Sequence, residues 1–131
     1  MPTKKRQQVS SNRPWDPVGY SRAVRMGNLV EVAGTTAAAP DGTVIAPGDM
    51  YGQTRACLKI MLSAMAELGA TPEDVIRTRM FLTDISRWEE AGRAHAEVFG
   101  EIKPASTMVE VSSFLDPGYL IEIEATAVCD S

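Results

Sequence analysis

One histidine and two cysteines are all that this 131-residue chain offers to a borderline or soft metal ion. Cys57 and Cys129 stand far apart with no Cys-x-x-Cys, and a single His cannot complete a His-rich zinc shell, so no metal site is expected. No stretch approaches the roughly 18 consecutive apolar residues that a membrane helix needs. Lys4, Lys5 and Arg6 have no apolar segment behind them, so no secretory signal is read and the expected compartment is the cytoplasm, with no membrane partner. Neither Gly-x-x-x-x-Gly-Lys nor Gly-x-Gly-x-x-Gly occurs, which leaves nucleotide binding without sequence support. Gly-x-Ser-x-Gly is missing too, so the lone His95 has no nucleophile elbow to serve.

What is present suffices for one core. A chain of this length buries roughly two thirds of its unfolded surface, and 44% of its residues are hydrophobic, so a disordered chain is excluded. The net charge is -4 but uneven: six basic residues and one acid up to Arg25, seven basic and sixteen acidic after it. Residues 1–16 are expected to form a polar, solvated N-terminal arm and residues 17–131 a single domain.

Leu29 to Ala33 alternates behind the turn-prone Gly27-Asn28 and reads as a strand. Residues 37–48, rich in Pro and Gly, read as loop with a short hairpin arm around Thr43 to Ile45. Cys57, Ile60, Met61, Ala64, Met65 and Leu68 then recur on one helical face, with the methionines filling core, and Gly69 stops that helix. Thr71-Pro72-Glu73-Asp74 looks like a capped single turn. Val75 to Leu82 reads as a strand, with Ile76, Thr78, Met80 and Leu82 expected on one face. Ser86 and Glu89 fit a capping box for a second helix ending at Phe99, whose apolar face carries Ala91, Ala94, His95 and Val98. Strands from Thr107 to Val111 and from Tyr119 to Val128 complete an α+β domain: a mixed sheet with two helices packed on one face. Its other face is expected to be buried against another subunit.

Glu122 and Glu124 project from the same face of the last strand, about 7 Å apart by strand geometry. Shielded from water, such a pair raises at least one carboxyl pKa and prepares it for proton transfer; left in water, it is an ordinary strand face. Arg77 and Arg79 share a strand face and are placed either to pair with neighbouring carboxylates or to be solvated. His95, on an apolar face, suits a hydrogen-bonded packing role better than catalysis.

Gly19-Tyr20-Ser21, Gly27-Asn28-Leu29-Val30 leading into Ala33-Gly34-Thr35, a helix opened by Gln53 and ended by Leu68-Gly69-Ala70, Asp74-Val75-Ile76-Arg77-Thr78, Phe81-Leu82-Thr83-Asp84, Pro104-Ala105, Val109-Glu110-Val111 and Ile121-Glu122-Ile123-Glu124-Ala125 occur in this order. Together they resemble the Rid family, also called YjgF-like proteins, over about residues 17 to 128. The resemblance implies a chorismate-mutase-like fold, a homotrimer around a central barrel, and clefts between adjacent subunits. It also implies cofactor-free hydrolysis of small reactive enamines or imines, such as 2-aminoacrylate, to 2-oxo acids and ammonia.

In that family a Tyr near the start closes the cleft, a Glu in the Ile-Glu-Ile-Glu-Ala segment holds the attacking water, and an Arg after Pro-Ala clamps the substrate carboxylate. Carried over position by position, Tyr20, Gly34 and Glu122 match, while the Arg position is Ser106. Thr35 also departs from the usual Gln. A serine hydroxyl supplies no fixed charge and no two-pronged clamp, so the usual 2-imino acids lose their main charged contact. The leading expectation is an enamine or imine hydrolase with Glu122 positioning water and Tyr20, Gly34 and Ser106 lining the cleft. Two alternatives stand beside it: a trimeric small-molecule-binding or regulatory module without turnover, and, more weakly, RNA cleavage. The negative net charge and the lack of a basic, aromatic-rich stripe argue against the last.

Overall fold

The computed structural model describes residues 5–130. Eight main elements follow in the order β1 (Arg6–Ser10), β2 (Ser21–Met26), β3 (Leu29–Thr36), α1 (Met50–Glu67), β4 (Val75–Leu82), α2 (Trp88–Phe99), β5 (Ala105–Glu110) and β6 (Ile121–Val128). One mixed sheet holds all six strands in the spatial order β1-β2-β3-β6-β4-β5. Only β4 and β5 run parallel, joined by the crossover through α2; the other neighbours are antiparallel. The last strand therefore enters the middle of the sheet, between β3 and β4.

Both helices cover one face. Alternation along β6 turns Ile121, Ile123, Ala125 and Ala127 inward, where they join Val30, Val32, Met80 and Leu82 against Leu58, Met61 and Met65 of α1 and Ala91 and Phe99 of α2. Asp49 caps α1 by accepting from the Gly52 N–H at 2.9 Å. Gly69, at φ +84°, ends it in the left-handed conformation that glycine adopts without strain. The opposite face mixes charge with apolar area: Glu31, Arg79 and Glu124 lie among Leu29, Val109 and Val128, each more than 40% exposed. Among the described residues no helix is long and apolar enough to cross a membrane.

Three local expectations are corrected and one strand is added. Residues 6–10 are not solvated arm but an edge strand paired with β2, their polar side chains outward. The segment Ser21–Met26 is itself a strand. In β4 the register shifts between Val75 and Arg77, so Val75 enters the core at 3% exposure while Ile76 turns out at 53%. Ahead of α2, Ser86 donates its hydroxyl to Asp84, and it is Asp84 that accepts the Ser86 backbone N–H, so the Ser86–Glu89 box does not form.

Candidate functional site

The inward pattern of β6 leaves Glu122 on the alternate side, opposite Thr36 of β3. There β3 is irregular: its pairing with β6 shifts between Val32 and Thr35, and Gly34 lies in the irregular stretch. The Glu122 side chain rests directly on Gly34. A Cβ added at position 34 would stand 2.7 Å from Glu122 Cδ and 2.9 Å from Oε1. Glycine is thus the residue that leaves room for the carboxylate.

Arg22 binds the strand edge to the aromatic side of the site. Its Nη1 donates to the Gly34 carbonyl at 2.7 Å and to Thr35 Oγ1 at 3.0 Å, and its Nη2 donates to the Tyr20 hydroxyl at 2.9 Å. Trp15 Nε1 also donates to the Tyr20 oxygen, at 2.5 Å. With both lone pairs engaged, the Tyr20 O–H is left as a donor. A cavity of about 350 Å³ opens here, lined among others by Trp15, Arg22, Gly34, Phe114, Tyr119 and Glu122.

Burial first, and then the neighbouring Glu124 charge, raises the Glu122 carboxyl above its ordinary pKa, while the Arg22 cation pulls it part of the way back. Glu124 instead pairs loosely with Arg79, Nη1 to Oε1 3.5 Å, at the surface.

Gly34 and Glu122 therefore line one cavity, Tyr20 is tied to its wall through Arg22 without lining it, and Ser106 is not there. Ser106 sits on the edge strand β5 opposite Thr78, whose hydroxyl donates to Ser106 Oγ at 2.8 Å and lies 2.9 Å from His95 Nε2. Within the protomer Ser106 does not line the Glu122 cavity. His95 packs its ring on Phe99, with centroids 4.8 Å apart, and burial lowers its pKa, so it is an uncharged, hydrogen-bonded core group at neutral pH. A larger opening of about 670 Å³ lies between α1 and α2, but its ionic groups, Asp49, Arg55, Lys59 and Glu97, are all exposed, and no buried carboxylate faces it.

Arg25 and Arg79, the other arginines of interest, do not line the Glu122 cavity. Arg25 donates to the Leu68 and Gly27 carbonyls at the end of α1. Arg22 takes part instead, and sequence reasoning missed it because β2 was not read as a strand. The bulge between β1 and β2 buries Arg22 and Ala23 consecutively, which breaks the alternation that marks a strand. Its place two residues after Tyr20 was the available signal.

Comparison with known proteins finds relatives of this sequence and fold. The Endoribonuclease L-PSP family model matches residues 10–129. A crystal structure of a Mycobacterium tuberculosis member of the YjgF/YER057c/UK114 family is similar over 95% of this chain and 99% of that one, at 48% identity and a TM-score of 0.84. A RutC family protein of Pyrococcus abyssi is 37% identical over 112 residues, 85% of this chain and 87% of its own length. The 3-aminoacrylate deaminase RutC of Acinetobacter baylyi is 31% identical over 108 residues, covering 82% and 85%.

Proposed function

The chain belongs to the Endoribonuclease L-PSP family, the YjgF or Rid proteins, and from that membership we propose that it hydrolyses a small reactive enamine or imine to a carbonyl compound and ammonia. The observation that carries this is the Glu122 carboxylate, seated on Gly34 at a cavity wall with its proton affinity raised. A relative of 31% identity is named for deamination of 3-aminoacrylate, which supports the same reaction class.

The reaction asks little of the protein, because a protonated imine is already electrophilic. Glu122 orients a water molecule and takes a proton from it as the water oxygen bonds to the imine carbon. The C=N electrons move to nitrogen, giving a tetrahedral carbinolamine. Glu122 returns that proton to the nitrogen, and the intermediate then collapses as the O–H proton is lost, the C–N bond breaks, and nitrogen leaves as ammonia. In this reading the Tyr20 O–H, tied to the cavity wall through Arg22, donates to the oxygen or nitrogen of the intermediate.

The pH profile tests the role of Glu122. A base must be ionised to act, so kcat/KM is expected to fall with acid through an apparent pKa above the value of about 4.3 for an unperturbed Glu. Ammonia release measured between pH 4 and 8, corrected for the spontaneous rate, gives that limb. A rate that stays flat down to pH 4 excludes Glu122 as the base.

The exposed apolar residues of the open sheet face, with the displacement of Ser106 from the cavity, support a homotrimer in which one subunit's β5 completes the neighbour's cleft. Light scattering should then give about three times the 14.2 kDa protomer mass. A species of protomer mass at micromolar concentration contradicts this assembly.

A further inference from the structure

Of the residues that line the cavity, Arg22 is the one cation and Glu122 the one anion. They form no salt bridge: among the described residues no carboxylate lies within 4 Å of the Arg22 nitrogens. What joins them is Gly34. Its carbonyl accepts from Arg22 Nη1 at 2.7 Å, and the Glu122 side chain rests against it. The next residue tightens the same spot. Thr35 donates its hydroxyl to the Ala33 carbonyl at 2.8 Å and so meets Arg22 as an acceptor, at 3.0 Å. Arg22 thus pins the irregular stretch of β3 beside the carboxylate, while its Nη2 holds the Tyr20 oxygen.

Arg22 is 5% exposed, and these three bonds all go to neutral oxygens. A buried cation is costly unless an opposite charge is near. Glu122 is near enough for Arg22 to lower its carboxyl pKa against the larger effects of burial and of Glu124. No other cation takes this place. Opposite Glu122 on β4 and β3 stand Phe81 and Thr36. From α1 comes the buried Cys57 thiol, which stays neutral because burial, and then the Glu122 charge, pushes its pKa up. Arg79 is engaged by Glu124. Arg13, whose pKa the Arg22 charge helps to lower, donates to the carbonyls of Ser11, Asn12 and Ala38 and does not line the cavity.

We propose that Arg22 is a positioning residue acting through Glu122: it fixes the β3 irregularity on which the carboxylate is seated and supplies the positive charge that the ionised carboxylate faces. This role rests on Glu122 being the base of the reaction above, but the hold of Arg22 on the carboxylate is measurable without turnover.

Arg22→Gln removes the charge and should displace the acid limb of kcat/KM to higher pH, so that the loss is about tenfold or more near pH 5 and shrinks toward pH 8. Arg22→Lys, which keeps the charge without the fork, should leave the limb near its wild-type place while lowering kcat. Added to Glu122→Gln, Arg22→Gln should cause no further loss of turnover, since an effect carried by the carboxylate vanishes with it. The Glu122 carboxyl carbon resonance, assigned by its absence in Glu122→Gln, should titrate at higher pH in Arg22→Gln than in the wild type. If Arg22→Gln fails to fold, the wild-type Arg22 Nε–H resonance decides, since that group is buried without a partner and its signal is assigned by its loss in Arg22→Lys. It should shift with the midpoint of the Glu122 titration and stay still over that range in Glu122→Gln. An unmoved acid limb in folded Arg22→Gln, a further loss in the double variant, or an Nε–H resonance that ignores the Glu122 titration overturns the role. A wild-type protein without turnover removes the hydrolase, and the carboxyl resonance alone then decides: a midpoint raised in Arg22→Gln upholds the hold of Arg22 on Glu122, and an unchanged one overturns it.

Discussion

Replacing Glu122 with Gln is expected to lower imine turnover about 10²-fold or more while the protein stays folded and no less stable at neutral pH. The amide keeps the size of the side chain and much of its hydrogen bonding but cannot take a proton from water. The stability half follows from the raised carboxyl pKa. A carboxyl whose folded-state pKa lies above its unfolded value contributes stability that is fully present below the unfolded pKa and is lost as pH rises through the folded one. At pH 7 the ionised Glu122 is therefore a burden on the fold, and Gln removes it. Thermal unfolding at pH 7 should give an equal or higher Tm for Glu122→Gln, and the difference should shrink as the pH is lowered toward 4. Loss of activity together with a lower Tm would mark Glu122 as a packing residue, and a binding module without turnover would change in affinity alone.

Gly34→Ala is expected to cost about tenfold to a hundredfold in turnover with little change in Tm, because it acts on the same carboxylate by geometry alone. Gly34 needs no left-handed backbone; what it provides is space. The added methyl would meet Glu122 Cδ, Oε1 and Cγ between 2.7 and 3.1 Å, closer than such atoms approach, and all three belong to one flexible side chain. The inexpensive escape is a rotation of Glu122, which carries its carboxylate away from the water it orients. The Arg22 contact to the Gly34 carbonyl involves the backbone and survives the change. Kinetics and thermal unfolding on the same preparation check this. Full activity in Gly34→Ala would mean that the position of Glu122 over Gly34 does not matter to the reaction.

The α+β architecture was legible in the sequence because its central parts follow simple periods. β6 alternates without interruption, and the face carrying Ile121, Ile123, Ala125 and Ala127 is buried as that alternation requires. β4 runs over the residues its pattern marks, Val75–Leu82. What escaped lies where the period is broken or the apolar signal is thin. β1 carries Arg6, Gln7, Gln8 and Ser10 around a single Val9, so nothing in its composition separates an edge strand from a polar tail. In β2 and at Ile76, one-residue register shifts put consecutive side chains in unexpected environments, and a period-two template assigns them to the wrong face.

The candidate site divides along the same line. Tyr20, Gly34 and Glu122 were marked by short motifs; Gly34 and Glu122 are found against each other, with Tyr20 tied to them through Arg22. Arg22 was hidden by a bulge, since a buried arginine next to a buried alanine fits neither a strand face nor a surface. Ser106, matched to the site only by its place after Pro-Ala, accepts from Thr78 in the protomer and stands apart from the cavity, which no period along the chain signals.

Competition with semicarbazide tests the central claim most directly. Imines generated in place by an amino-acid oxidase or, without an α-carboxylate, by an amine oxidase are trapped as semicarbazones unless they are hydrolysed first, so the protein competes with a chemical clock. Wild-type protein is expected to reduce the trapped fraction in proportion to its concentration, with Glu122→Gln having about a hundredth of that effect or less. A trapped fraction that does not respond to the wild-type protein, across imines with and without an α-carboxylate, would contradict a hydrolase built on Glu122.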